Sequence, residues 1–294
     1  MTIAPTAVHR VRAATRTTRG AWRNSDLLLR VALVVLGLVV VTTVVAVFTG
    51  LAGSTSATVG GRLEGASALA PLGTDNLGRS LLPRLFQGIG TTLVVSIVAV
   101  ACSAVLSTVL GLLAGYYGGG VSETVMRVVD VLYSFPALVL AILVSALIGP
   151  GRPAAIISIV VITIPLMTRV VRLATRAVAE RDFIVSARIS GVRVPRIFLR
   201  RLLPNIAGTI AVQASYALSV AILVEGGLSF LGFGVQVPEA SLGLLIQQGM
   251  LYMTQAPQLL IIPGAVLVVS ILCINIIGDG LRDRFEPRET RSLS

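Results

Sequence analysis

Six stretches of the chain run for at least 15 residues without a charged side chain: Val31–Phe48, Thr91–Leu113, Val131–Ile148, Ala154–Thr168, Ile206–Val224 and Leu259–Ile277. A helix rises ~1.5 Å per residue, so about 20 apolar residues cross ~30 Å of hydrocarbon. Backbone polar groups left unpaired in lipid are costly, which confines spanning structure to helices and closed barrels. The runs lack the alternating pattern of barrel strands and are rich in Val, Leu, Ile, Ala and Gly, which suits helices packed through small residues. With 55% hydrophobic and 13% charged residues over 294 positions, the sequence specifies an all-α polytopic membrane protein with about six transmembrane helices. The fourth run is short, but Arg169 and Arg172 at its end extend it through their aliphatic stems while their charges reach the interface.

Every basic side chain apart from His9 is an arginine, 24 in all. Six spans put both termini on one side. If that side is cytoplasmic, 20 arginines fall inside and only Arg62, Arg79, Arg84 and Arg152 outside, the bias expected of an N-in, C-in protein. The expected organisation is an Arg-rich cytoplasmic tail over 1–30, a first span and extracytoplasmic loop over 31–90, a transmembrane core over 91–280 with a cytoplasmic loop at 173–204, and a cytoplasmic tail over 281–294. A cleaved signal peptide at the N-terminus is the competing reading. Its apolar stretch is too long for a signal core of about 7–15 residues, and removing it would spoil the even parity that the arginines support.

The absence of lysine excludes much chemistry. A phosphate-binding P-loop and a Schiff base both need an amine, so any nucleotide that powers this protein is bound by another subunit. His9 sits in a polar tail, and Cys102 and Cys273 lie far apart inside apolar runs, where thiols pack as small hydrophobes. No metal site, cofactor or nucleophile–base pair is expected in this chain, and no nucleic-acid partner. The glycines of YYGGG at 116–120 precede no lysine and read as a turn. Asp130, Glu225 and Asp279 fall at span ends and read first as boundary markers in reach of water.

The segment SARISGVRVPRIFLRRLLPN (186–205) carries five arginines and no acid between two apolar runs. Its pattern is two short helices with a hinge. Phe183, Ile184, Ala187 and Val192 share one side, Gly191 suits a left-handed cap, and Pro195 suits the first turn of a second helix. Arg193, Arg196, Arg200 and Arg201 border an apolar stripe of Ile197, Phe198 and Leu202, and Pro204 is expected to stop that helix before the fifth run. An amphipathic helix on anionic lipid accounts for the arginines. It does not account for the glycine and proline, which cost such a helix about 1 and about 3 kcal/mol.

VSARISGVRVPRIFLRRLLPN resembles the cytoplasmic loop of membrane permeases of ATP-binding-cassette importers, with Ala187, Gly191, Leu203 and Pro204 on the family's spacing and Val185, Ser186 and Arg201 departing from it. PLGTDNLGRSLLPRLFQGIGTTL (71–93), EGGLSFLGFGVQVPEASLGLLIQQG (225–249) and NIIGDGLRDRFEPR (275–288) are similar to the dipeptide, oligopeptide and nickel permeases of that family, with Ser80 and Pro83 where those usually carry Asp and Ser. The resemblance covers roughly residues 25–290 and points to the C-type subunit.

The resemblance implies a multi-pass protein of a bacterial inner membrane that carries peptides, or in a sister group nickel or another small solute. It also implies a second homologous permease, two ATP-binding subunits that hold ATP and Mg, and an extracytoplasmic substrate-binding protein. The expected coupling residues are Phe183, Ala187, Gly191, Val194, Ile197, Phe198, Arg200 and Pro204, with Arg193 and Arg196 available to lipid. The glycine-rich stretch 225–257 is expected to form a re-entrant gate or path at Gly227, Phe230, Gly232, Phe233 and Gln236. An autonomous channel or secondary transporter is the reading from another class; it would work without partners and normally shows polar residues along a path.

The arginine bias makes a direct prediction. With Cys102 and Cys273 replaced, a cysteine at Ser54 should react with an impermeant thiol reagent on intact cells, and one at Ser294 should not. The reverse pattern would invert the topology.

Overall fold

The computed structural model describes residues 27–46 and 57–285. The arginine-rich tail up to residue 26, Phe48 at the expected end of the first span and the tail beyond Phe285 lie outside the described residues. Ten α-helices follow in order: α1 (Leu27–Ala46), α2 (Leu81–Tyr117), α3 (Gly119–Tyr133), α4 (Ala137–Ile148), α5 (Arg152–Ala179), α6 (Asp182–Ile189), α7 (Val194–Ile197), α8 (Leu203–Phe230), α9 (Leu242–Met250) and α10 (Gln258–Phe285). A wide helical turn, Phe198–Leu202, joins α7 to α8. Among the described residues the only β-pairings are two isolated bridges, Thr58 with Arg79 and Thr74 with Ser80.

Five helices (α1, α2, α5, the continuous α7–α8 and α10) are long and apolar enough to cross a membrane. The third expected span is different. Val131–Ile148 is not one rod but the junction of α3 and α4, which meet at 91°. Pro136 supplies the reason: it has no N–H to donate and drives Phe135 out of helical geometry. The Ser134 hydroxyl donates to the Val131 carbonyl at 2.7 Å and occupies one of the acceptors left over where α3 ends. The other spans outrun their uncharged cores. α2 begins ten residues before Thr91, and α5 carries Arg169, Arg172 and Arg176 within its last three turns.

The centre is built from α2, α4, α5 and α8, whose Val95, Ala99, Ala141, Ala155, Ile159, Met167, Ala221 and Leu228 form one buried cluster. Small residues dominate because helices in lipid associate by close approach rather than by escaping water. The tightest crossing joins α2 to α5 at Gly111 and Gly115. A β-carbon on Gly115 would lie 2.7 Å from the Arg172 carbonyl oxygen and from Thr175 Cβ, and one on Gly111 would lie 2.6 Å from Val171. Along the same seam the Ser107 hydroxyl donates to the Ile164 carbonyl at 3.3 Å, while between α4 and α5 the Ser158 hydroxyl reaches the Ala141 carbonyl at 2.9 Å. α1 stands outside this core, most of its Leu and Val side chains exposed as lipid-facing surface. It touches the bundle where Thr43 meets Gly90 and where Leu29 covers Gly280.

Gly115→Leu should therefore push α2 off α5. Neither backbone oxygen nor Cβ can give way as a flexible side-chain tip would, and overpacking of this kind costs about 1–3 kcal/mol or more. In detergent the variant should lose several degrees of thermal stability, whereas Gly120→Leu, where an added β-carbon meets nothing within 4 Å, should stay near wild type.

Candidate functional site

α2 spans the whole molecule, about 55 Å at ~1.5 Å per residue. Its two ends carry the two regions that the sequence singles out.

At the C-terminal end of α2 lies the loop 181–202. Ile184, Ile197 and Leu202 are fully buried and join Leu112, Val171, Val178 and Ile206 in a cluster of their own. Phe198 stacks edge-on against Tyr116 with ring centres 5.1 Å apart, and the Arg188 guanidinium lies 4.7 Å over the same Tyr116 ring. Arg201 donates to the Phe183 carbonyl at 2.9 Å, so the second helix of the loop is tied to the first. Gly191 adopts φ +72°, a left-handed conformation that side chains resist by about 1–2 kcal/mol. Its N–H caps Arg188 and that of Val192 caps Ala187, which closes α6 and turns the chain into α7 with Pro195 in its first turn.

Pro204 does not stop the helix. Instead the Leu203 N–H reaches back to the Phe198 carbonyl, and this wide turn absorbs the proline so that α7 runs on into α8. The eight expected coupling residues divide into two sets. Ala187 and Ile197 are buried rather than offered to a partner, and Ile197 packs in the cluster of Val171, Val178 and Ile206. Val194 and Phe198 are half-buried, and Phe183, Gly191, Arg200 and Pro204 are exposed. The most prominent apolar side chains at the tip are ones the residue pattern passes over: Ile189 is 82% exposed and Leu199 66%. Beside the loop, α2, α3, α5 and α6 enclose an open cleft of about 1060 Å³ bordered by Arg127, Arg172, Arg176 and Arg188. Within it Arg172 Nε donates to Ser122 Oγ at 2.8 Å, and at its edge Asp130 pairs with Arg169 at 2.6 Å.

At the other end, α8 continues to Phe230 and then folds back. A turn at 231–241 leads into α9, which is too short to cross a membrane and packs between α2, α8 and α10. Gly243 rests on the backbone of Gly226 so closely that any side chain at 243 would collide with it. The five expected gate residues occupy the end of α8 and the turn that follows it. Gly227 faces Leu138 of α4, Phe230 ends α8, Gly232 makes the turn, and Phe233 packs on the central core while its carbonyl accepts the Ser145 hydroxyl at 2.5 Å. Gln236 closes the turn by donating to the Gly232 and Gly234 carbonyls at 2.9 and 3.2 Å. Outside, Arg152 pairs with Glu239 at 2.5 Å.

Glu225 is not a boundary marker. It is fully buried, between Thr92 of α2 and Ser229 one turn on. Asp279 does sit near an exposed surface, where it accepts the Tyr216 hydroxyl at 2.6 Å.

The segment 57–80 is fixed to the same end by an ion-pair network. Asp75 accepts from Arg79 Nε at 2.7 Å and Arg84 Nη1 at 2.6 Å, and Arg84 continues to Gln248 of α9 at 2.9 Å. Burial alone would push the Asp75 carboxyl up. The N–H groups of Arg79 and Leu77 and the Arg79 guanidinium outweigh it and hold the group below its ordinary value of 3.8.

The fold and these two regions define a multi-pass membrane subunit with a structured interhelical loop at one end of the bundle and a glycine-packed hairpin at the other. The chain belongs to the family of binding-protein-dependent transport system inner membrane components, which matches residues 107–291. It is 34% identical over 261 residues to the dipeptide transport system permease DppC of Alkalihalophilus pseudofirmus, covering 87% of this chain and 86% of that protein. It is 36% identical to the di/tripeptide permease DppC of Pseudomonas aeruginosa, over 77% and 75% of the two chains. To the glutathione permease GsiD of Pectobacterium atrosepticum it is also 36% identical, over 76% and 75%. The fold resembles a chain of the MetNI methionine ABC transporter in its inward-facing conformation, with TM-score 0.56 and 21% identity over 70% of this chain and 97% of that one.

The Asp75 network makes a prediction with a definite sign. A depressed carboxylate contributes stability that is complete above its ordinary value and fades as pH falls through the lower, folded value. Trypsin cleavage after the exposed Arg62 should thus stay slow across neutral pH in the wild type. Asp75→Asn should raise it sharply, because two buried guanidinium groups lose their counter-charge at a cost of about 3–5 kcal/mol.

Proposed function

We propose that this chain is one of two membrane subunits of an ATP-driven importer of di- or oligopeptides, with both termini in the cytoplasm. α3 and α4 then count as one broken span, which gives the even parity that the arginines require. A second, homologous permease completes the translocation path, two ATP-binding subunits hold ATP and Mg, and an extracytoplasmic binding protein delivers the substrate. A peptide rather than nickel is favoured by the relatives, of which the three described are named for peptide substrates. The chain itself binds no nucleotide in this reading, consistent with its lack of lysine.

The observation that carries the coupling assignment is the loop 181–202: a rigid root buried in the bundle, a tip of exposed apolar and basic side chains, and a left-handed glycine between its two helices. The ATPase groove receives Phe183, Val194, Phe198, Arg200 and Pro204 around Gly191, with Ile189 and Leu199 added, while Ala187 and Ile197 brace the loop from within. Apolar contacts seat such a ball in its socket and arginines meet polar groups at the rim. Because α7 runs into α8, closure of the ATPases pulls on a helix whose far end holds Gly227 and Phe230 and leads to Gly232, Phe233 and Gln236. Chemical work at one face and access at the other share one element.

The test is Gly191→Val in the complete transporter. Within this chain an added β-carbon meets nothing within 4 Å, so the strain inside the loop comes from the backbone angle. Insertion should be normal and peptide-stimulated ATP hydrolysis should fall at least tenfold. Arg193→Gln with Arg196→Gln should retain most of it, since lipid head-group contacts are worth only ~1 kcal/mol each. Full coupling in Gly191→Val with loss in the arginine pair would make this segment a lipid contact.

A further inference from the structure

Glu225 lies in a spanning helix with no exposed surface, and among the described residues no arginine is its partner. Its partners are hydroxyls. Thr92 Oγ1 donates to Oε2 at 2.8 Å and Ser229 Oγ to Oε1 at 2.7 Å, with the Ser241 side chain as a third partner. Each hydroxyl is also an acceptor for a backbone N–H of the hairpin. Leu242 N–H donates to Thr92 at 3.1 Å, Val235 N–H to Ser229 at 3.0 Å and Leu244 N–H to Ser241 at 3.3 Å. The hydrogen bonds therefore run in series, from hairpin backbone to hydroxyl to carboxyl, and three such chains end on one side chain.

This arrangement couples the place of the hairpin to the hydrogen bonding of one carboxyl. A hydroxyl offers one proton, and each of these is committed inward while its lone pair holds a hairpin N–H. If the hairpin lifts, Ser241 leaves the carboxyl with it, and the hydroxyls of Thr92 on α2 and Ser229 on α8 lose the Leu242 and Val235 N–H groups that fix their orientation. A buried acidic group that loses a donor, beside two hydroxyls that lose theirs, is costly to keep dry, so water enters with the opening.

We propose that Glu225 is the positioning residue of the gate: it holds the hairpin 231–250 in its closed place on α2 and α8, and its release, passed along α8 from the coupling loop, is the step that opens the path. This rests on the importer reading for the word gate; the lock itself stands on the geometry.

The experiment uses the assembled transporter in lipid nanodiscs, with Cys102→Ala and Cys273→Ala in all samples. Ala240, fully buried in the hairpin, is changed to cysteine, and its reaction with an impermeant maleimide reports opening. Glu225→Gln replaces an acceptor oxygen by an NH₂ that faces a hydroxyl donor. It should speed labelling at least fivefold without substrate, raise basal ATP hydrolysis several-fold and abolish its stimulation by loaded binding protein. Thr92→Val should shift all three the same way, and Thr92→Ser, which keeps the hydroxyl, should restore wild-type values. If Glu225→Gln does not assemble, the Thr92 pair decides alone.

Unchanged labelling in Glu225→Gln or Thr92→Val overturns the lock. Faster labelling with unaltered basal hydrolysis overturns its place in coupling and leaves a structural role. A wild-type complex that ignores every peptide would count against the peptide reading, and the labelling would still judge the lock.

Discussion

The approach of α2 to α5 at Gly111 and Gly115 is the contact on which the rest of the molecule is assembled. It brings two long helices to backbone distance, and everything functional is hung from them. α5 leads straight into the loop 181–202 and helps bury its root, while the N-terminal half of α2 receives the hairpin, the 57–80 segment and α1. In lipid such a crossing cannot be driven by release of water from apolar surface, so it depends on how near two backbones can come. Glycines four apart permit that nearness, and Ser107 then reaches a carbonyl across the seam.

Several hydroxyls sit where a bend or a fold-back would otherwise leave backbone groups bare. Ser134 serves the break before Pro136, Ser145 serves the turn after α8, and Thr92, Ser229 and Ser241 serve the hairpin. A membrane tolerates non-helical backbone only where protein supplies its hydrogen bonds. At these irregular stretches, hydroxyls supply the hydrogen bonds that the backbone lacks.

Much of this was legible from residue type and spacing. The apolar runs marked where helices cross, because no alternative structure hides so many backbone groups. Gly191 and Pro195 marked the two-helix loop, because each has one backbone role that few other residues fill. Other features were out of reach for physical reasons. The 91° break in the third span and the continuity past Pro204 are opposite outcomes for two prolines. One proline sits where α3 can end, the other where a wide turn absorbs it, and that choice is made by packing rather than by the proline itself. Glu225 looked like an end marker because it falls just past an uncharged run. Its burial follows from Thr92, 133 positions away, which no local pattern points to, although Ser229 four residues on was a visible hint. Ala187 and Ile197 turned inward because half of any amphipathic loop must root itself before the other half can present anything.

The wide turn at Phe198–Leu202 has a consequence for direction. A five-residue turn in place of the usual one is in effect a single residue inserted into a helix, and each residue advances the helical phase by about 100°. Without it, α7 and everything docked upon it would point about a quarter-turn away from its present bearing relative to α8. The heading at which the loop 181–202 leaves the bundle is therefore set by one surplus residue, placed just before Pro204.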